Sequence, residues 1–374
     1  MEHSLYIHIP FCRTKCRYCD FYSVRHEHGL ASRYVDALCL AITRLPCDFS
    51  TVYIGGGTPT VLSIRLLGKL LRQLRHVTRC VREFTVEANP ESIDADKLRL
   101  FLDNGVNRLS VGVQSFCDVK LKMLGRIHSA SAAIAAVMRA KKEGFENIGI
   151  DVMFGFWQET LADWRKDLSI AVELPVRHIS AYALTYEKNT PLFKKLKRNL
   201  ISPLDDDLVS EFYQYTMQFL PRKGFLQYEV SNFAKNGYSC EHNERYWRNE
   251  EYTGLGPSAV SYAGGIRTRN TAVLSDYMKK IESGESPVVM RERLSKLRRA
   301  KETASLKIRT AEGIDFDWFV HTSGFDFRKI EADEIETLVR QKLITYIRVR
   351  GQARGIRLTR KGFLFCDTVS SSLL

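Results

Sequence analysis

CRTKCRYCDF, residues 12–21, places three cysteines within eight residues at the spacing C-x3-C-x2-C. Three thiolates in one short loop suit a soft metal or an iron–sulfur cluster. A structural zinc site wants four ligands, often as two C-x2-C pairs. Here no fourth cysteine follows, and His8 and His26 are poorly placed to complete a knuckle. A cubane held by three cysteines leaves one iron without a protein ligand, open to a substrate or cofactor. The flanking Arg13, Lys15 and Arg17 are expected to favour thiolate over thiol. The other six cysteines (Cys39, Cys47, Cys80, Cys117, Cys240, Cys366) are scattered, which argues against a disulfide framework and points to a reducing cytoplasm.

Outward from this loop, strand and helix patterns alternate. Apolar strands are expected in SLYIHI, STVYIGGG, EFTVEANP, VNRLSVGVQSF, NIGIDVMFG and VRHISAYALT, with helical periodicity between them. SIRLLGKLLRQLRHV, for instance, puts Leu66, Leu67, Leu70, Leu71 and Leu74 on one side of a helix. About six βα units predict an α/β fold, a partial (β/α)6 parallel barrel over residues 1–235, with ligand chemistry at the C-terminal strand ends. The cysteine loop would follow the first strand. GGGTPT (55–60) follows the second, without the G-K-[ST] ending of a phosphate loop. Glu87, Gln114 and Asp151 each end a later strand.

Residues 236–374 have a different texture. The segment 239–270 is rich in aromatics, glycine and polar residues and reads as loop and short strands. From about residue 295 the pattern helix, helix, strand, turn, strand, helix predicts a small α+β, winged-helix-like module.

The chain has 374 residues, 44% of them apolar, enough for one large α/β domain and a smaller one. It lacks an apolar run of about 18 residues, and its first residues do not read as a signal peptide. Residues 291–309 carry a net charge of +6 and residues 340–361 a net +8, so the remainder of a chain at +13 nets −1. The basic C-terminal part is either a solvated face or a site for an anionic partner: nucleic acid, acidic lipid headgroups or a carboxylate-bearing ligand.

C-x3-C-x2-C in the first βα loop of a partial barrel resembles the radical S-adenosylmethionine (SAM) superfamily. YIHIPFCRTKCRYCDFYS, GGGTPT, EANP, GVQSF, LGRIH, QYEVSNFA and HNERYW resemble its HemN/HemW group over nearly the whole chain. That group holds oxygen-independent coproporphyrinogen III oxidases and haem chaperones. The resemblance implies a [4Fe–4S] cluster on Cys12, Cys16 and Cys19. It implies SAM contacts at Tyr6, Tyr18, Gly56, Gly57, Thr58, Glu87, Gln114, Arg126 and Asp151. In the superfamily the reduced cluster cleaves bound SAM to methionine and a 5′-deoxyadenosyl radical.

Within the group, three features lean toward the chaperones. Phe21 stands where the oxidases carry a further cysteine. The long segment preceding the oxidases' first strand is missing, since the strand here starts near residue 5. The chaperones' H-N-x-x-Y-W motif is present as His242, Asn243, Tyr246 and Trp247. Haem is then the cargo, with membrane-bound respiratory haem proteins as recipients. The chaperone reading makes His242 a candidate axial ligand, Cys240 a second one, and Tyr246 and Trp247 candidate porphyrin contacts. The basic C-terminal surface would meet haem propionates or an acidic membrane surface. A porphyrin-oxidising enzyme ranks next. A nucleic-acid-binding protein ranks last. Trp157, where the group usually has proline, and Val260, where it usually has histidine, depart from the pattern.

Overall fold

The computed structural model describes residues 3–46 and 49–374; Cys47 lies outside the described residues. Six strands in chain order form the parallel heart of a sheet: β1 (His3–Ile9), β2 (Phe49–Gly56), β3 (Glu83–Ala88), β4 (Arg108–Gln114), β5 (Asn147–Phe154) and β6 (His178–Ala183). Each pairs in parallel with the next. Helices Ile64–Leu74, Ala95–Asp103, Ala130–Glu143 and Leu161–Glu173 lie in the crossovers. This is the expected partial barrel, joined to a smaller C-terminal unit.

Alternation along these strands decides what the barrel contains. Leu5, Ile7 and Ile9, then Val52 and Ile54, Phe84 and Val86, Leu109 and Val111, Ile148 and Ile150, and Ile179 are all buried in one apolar core with the helices. The intervening residues, which a pleated strand points to the other face, are Ser4, Thr51, Tyr53, Thr85, Glu87, Ser110, Asp151 and Ser180. The outside of the sheet is therefore the apolar side, and the inside of the barrel is polar. On the helix side the expected leucine stripe is buried, and Ser63 Oγ caps that helix by accepting from the Leu66 N–H. Fully burying each such leucine contributes about 2 kcal/mol.

The sheet continues on both sides of the six strands. β7 (Leu226–Gln227) and β8 (Asn232–Ala234) extend the β6 edge with antiparallel pairings. β9 (Tyr252–Leu255) runs parallel to β1, and β10 (Val260–Ala263), β11 (Ile266–Asn270) and β12 (Val288–Arg293) follow as an antiparallel meander. Residues 252–293 thus share the barrel sheet. A separate apolar core draws on Ala304, Ile308, Phe316, Phe319, Phe327, Ile335, Leu338, Ile356 and Val369. Helices Lys296–Lys307, Phe316–Ser323 and Ala332–Arg340 surround it. A sheet of β13 (Ile314–Asp315), β14 (Ile344–Val349) and β15 (Gln352–Leu358) completes it. The β14–β15 hairpin supplies the strand–turn–strand part of the winged-helix-like pattern.

One expectation changes. The segment read as loop and short strands contains a helix, Glu241–Trp247. Its first amides donate to a carboxylate from a different strand: Glu83 accepts from the N–H of Glu241 at 2.9 Å and of His242 at 3.1 Å. Those amides have no partner within a helix, and an anion there also suits the helix dipole. The cap is tertiary, so local sequence carries no trace of it.

Candidate functional site

The cysteine loop is held at both ends. Phe11–Cys12 pairs with Val24–Arg25, and the His26 N–H donates to the Cys12 carbonyl at 2.9 Å. In between, the Arg17 N–H donates to Leu124 O, the Leu192 N–H donates to Arg17 O, and a turn from Cys16 O to Cys19 N brings those two residues together. The glycine motif packs directly on this loop. Gly57 N–H donates to Ile9 O and Thr58 N–H to Phe11 O, both at 2.8 Å. A β-carbon on Gly57 would lie 2.7 Å from Phe11 O, so the close approach demands glycine. At Gly56, φ is +111° and a β-carbon would lie 2.5 Å from His8 Nδ1.

These loops and the strand ends enclose a cavity of about 520 Å³. Its walls carry Cys12, Cys16, Cys19 and Tyr18 from the first loop and Gly56, Gly57 and Thr58 from the second, with Glu87, Gln114, Arg126 and Asp151 from further along. Tyr6 is the one SAM candidate away from the walls; its hydroxyl meets His8 Nδ1 at 3.0 Å. Glu87 accepts from the Tyr53 hydroxyl at 2.7 Å and the Gly56 N–H at 3.0 Å. Burial nonetheless pushes its carboxyl up to about 7. Burial also raises Asp151, which Ser110 approaches at 3.4 Å. Gln114 sits at a strand irregularity with φ +67°, a left-handed conformation uncommon for a side chain of this type.

Arg126 ties the site together. Its Nη2 donates to Asn89 Oδ1 at 2.7 Å and to Gly112 O at 2.6 Å, and its Nη1 reaches Cys16 Sγ at 3.4 Å. Thr58 Oγ1 lies 3.7 Å from Cys12 Sγ. The basic residues beside the cysteines favour thiolate only weakly: burial outweighs Lys15, which lowers Cys12 and Cys19. Arg13 and Arg17 are exposed, and Lys15 donates to Phe21 O at 3.0 Å. Burial dominates instead, raising the Cys12 thiol and pushing Cys19 up to about 11.

The H-N-x-x-Y-W motif divides between faces of its helix. Asn243 lines the cavity. His242 does not: it is 1% exposed, stacked on Tyr53 with ring centroids 5.2 Å apart. Its Nδ1 meets Thr51 Oγ1 at 2.8 Å and its Nε2 the Tyr246 hydroxyl at 2.9 Å. Burial pushes it down to about 3. With both nitrogens engaged and the ring neutral, His242 offers no nitrogen to a haem iron in this arrangement. Cys240 is equally enclosed, with Sγ 3.4 Å from Glu83 Oε1. Trp247 lies under the Arg309 guanidinium, 5.5 Å from its ring centroid, and so packs toward the C-terminal unit.

The chain matches the family model of the radical SAM superfamily over residues 6–170. It is 34% identical to the haem chaperone HemW of Lactococcus lactis, covering 99% of this chain and 97% of that one. The chain belongs to the HemW family. A mitochondrial relative from Bos taurus, radical S-adenosyl methionine domain-containing protein 1, is 31% identical over 99% of this chain and 87% of its own. Among solved structures, coproporphyrinogen III oxidase (HemN) of Escherichia coli superposes with a TM-score of 0.85 at 22% identity, covering 100% of this chain and 90% of that one. That likeness establishes the fold.

Residues of this HemW-family chain that sequence reasoning passed over also line the cavity: Tyr53, Asn89, Arg108, Ser110, His178, Ser180 and Tyr182. The signal for most of them is the strict polar–apolar alternation of six consecutive strands, which marks a barrel lined for a ligand. Of the two departures, Trp157 packs in a small apolar group with Tyr18, Tyr186 and Leu192. Val260 lies half-buried in β10.

The side chains present fit the cofactors that the family implies. Three thiols face one cavity, with a guanidinium on one and a hydroxyl on another, and the half-buried acids Glu87 and Asp151 line the same walls. Among the described residues no three His, Cys, Asp or Glu side chains converge on a position for one metal ion. A cubane makes a different demand, since each thiolate takes its own iron.

Proposed function

We propose that this chain is a haem chaperone that carries a [4Fe–4S] cluster on Cys12, Cys16 and Cys19 and binds SAM beside it. The observation that carries the reading is the shared cavity. All three thiols and eight of the nine SAM candidates line its walls, although they come from loops and strands far apart in sequence. The name of the L. lactis relative supports haem as cargo.

When bound, the cluster would supply an electron to SAM. The protein's own part is to hold and to exclude. Gly56, Gly57 and Thr58 shape the wall beside the cysteine loop. Glu87, half-buried with a carboxyl near 7, gains its charge most readily beside a cationic ligand, which SAM is. Arg126 links the cysteine loop to Asn89 and to the β4 strand end, so the ligand's two flanks are fixed by one side chain.

Haem would meet Asn243 and the exposed ring of Phe21 at the cavity rather than His242. Phe21 is 67% exposed and lines the same cavity. Delivery to respiratory haem proteins at a membrane is the cellular role we infer, with the exposed arginines of the β14–β15 hairpin facing the acidic headgroups. No helix among the described residues is long and apolar enough to cross a membrane, so contact would be peripheral, from the cytoplasmic side. The test is anaerobic reconstitution with iron and sulfide, then haem titration and an assay for protoporphyrinogen. Haem binding without turnover is expected; robust turnover of coproporphyrinogen would replace this reading with an oxidase.

A further inference from the structure

Deep in the barrel, on the polar face of β4, lies a buried cation whose charge faces Glu83 but whose hydrogen bonding is incomplete. Arg108 is 2% exposed. Its hydrogen bond among the described residues is a long one, from Nη1 to Thr85 Oγ1 at 3.5 Å, and its Nε is buried without a partner. The nearby carboxylate of Glu83 is turned to other work, capping the helix Glu241–Trp247. On β6, His178 is 1% exposed, its Nε2 meets the Tyr228 hydroxyl at 2.8 Å, and its Nδ1 is buried without a partner. Buried donors left unmet are costly, and a charged one most of all.

These two groups share a place. β5 contributes Gly149 opposite His178. A β-carbon added there would lie 3.3 Å from His178 Nδ1 and 3.4 Å from Arg108 Nη2. The two polar atoms thus converge beside the backbone of Gly149, too closely for a further side chain. Arg108, Ser110, His178 and Ser180 all line the large cavity.

We propose that this part of the cavity wall is a binding site for a carboxylate, held by Arg108 and His178. A guanidinium presents paired donors that match a carboxylate's two oxygens. Tyr228 accepts a hydrogen bond from the Cys240 N–H and donates its own proton to His178 Nε2, which leaves Nδ1–H as a second donor. Burial keeps this imidazole neutral. It also raises the two nearby acids, Glu87 and Asp151, which weakens their repulsion of an incoming anion. The occupant is either a small free carboxylate or the carboxylate arm of a larger molecule filling the cavity.

The test uses the full chain and the substitution Gly149→Ala, which fills the convergence point while keeping both donors. Acetate and formate should raise the melting temperature saturably relative to chloride at equal ionic strength. Gly149→Ala should weaken that response at least tenfold, and Arg108→Gln should do the same. Haem and its dimethyl ester separate the two sources. If a tetrapyrrole arm fills the site, haem binding drops about tenfold in Gly149→Ala and the ester is indifferent to the substitution. If a free carboxylate fills it, only the acetate response is lost. The site does not rest on the haem reading, because the acetate arm stands alone. If Gly149→Ala alters neither the carboxylate response nor haem binding, Arg108 and His178 are satisfied by water and the proposal is overturned.

Discussion

Replacing His242 with alanine separates two roles that the H-N-x-x-Y-W motif could have. The side chain makes two hydrogen bonds, to Thr51 and Tyr246, and stacks on Tyr53. Each hydrogen bond contributes about 1 kcal/mol and the ring contact about another 1 kcal/mol. The void adds to the loss, because a closed core relaxes only in part. The substitution should therefore cost about 3–4 kcal/mol, at the upper end for single changes. Denaturant unfolding of the wild type and variant measures this directly. Haem titration of the same two proteins, followed at the Soret band, should give affinities within about twofold, since 1.4 kcal/mol corresponds to a factor of ten. A variant of wild-type stability that has lost its Soret change would refute the reasoning and return His242 to the iron.

Further expectations follow from the same geometry. His242 titrates near 3 in the folded chain against a usual value of 6.5, so below pH 6.5 the unfolded state gains a proton that the folded state does not. Relative to His242→Gln, the wild type should lose about 1.4 kcal/mol of stability per pH unit between those values, as read from denaturation midpoints at stepped pH. SAM affinity should be flat above pH 7 and fall about tenfold per unit below it, because a ligand that needs the Glu87 carboxylate must displace its proton; Glu87→Gln should bind weakly with no such slope. Gly57→Ala should disrupt the cysteine loop through backbone collision at Phe11, lowering iron incorporated on reconstitution several-fold while the far-ultraviolet spectrum stays near normal. Charge reversal of Arg348, Arg350 and Arg354 together should reduce sedimentation with anionic vesicles at least tenfold, with the wild type showing a comparable loss in high salt; unchanged sedimentation would dismiss the membrane contact.

Much of this was legible in residue order. Six strands lie where their apolar runs put them, and the leucine stripe at 66–74 is buried as its spacing requires. The cysteine, glycine and strand-end motifs meet in one cavity because parallel strands all end on the same side. What escaped sequence reading depends on contacts between distant segments. The helix Glu241–Trp247 needs Glu83, more than 150 residues away, to satisfy its first amides. His242 looks like an available ligand in a string of letters, and becomes a core residue once Thr51 and Tyr53 are placed beneath it. The thiols beside Arg13, Lys15 and Arg17 look activated until burial is counted. Arg108 and His178 are legible only through the alternation of their strands, and their convergence only through the glycine on a third.

Electron paramagnetic resonance of the anaerobically reconstituted, dithionite-reduced protein, recorded with and without SAM, tests the central claim most directly. A reduced [4Fe–4S] signal that shifts on adding SAM, and disappears in Cys16→Ala, is the expected result. A cluster indifferent to SAM, or a signal that survives loss of Cys16, would contradict the placement of an open iron at this cavity and with it the account of how the chain works.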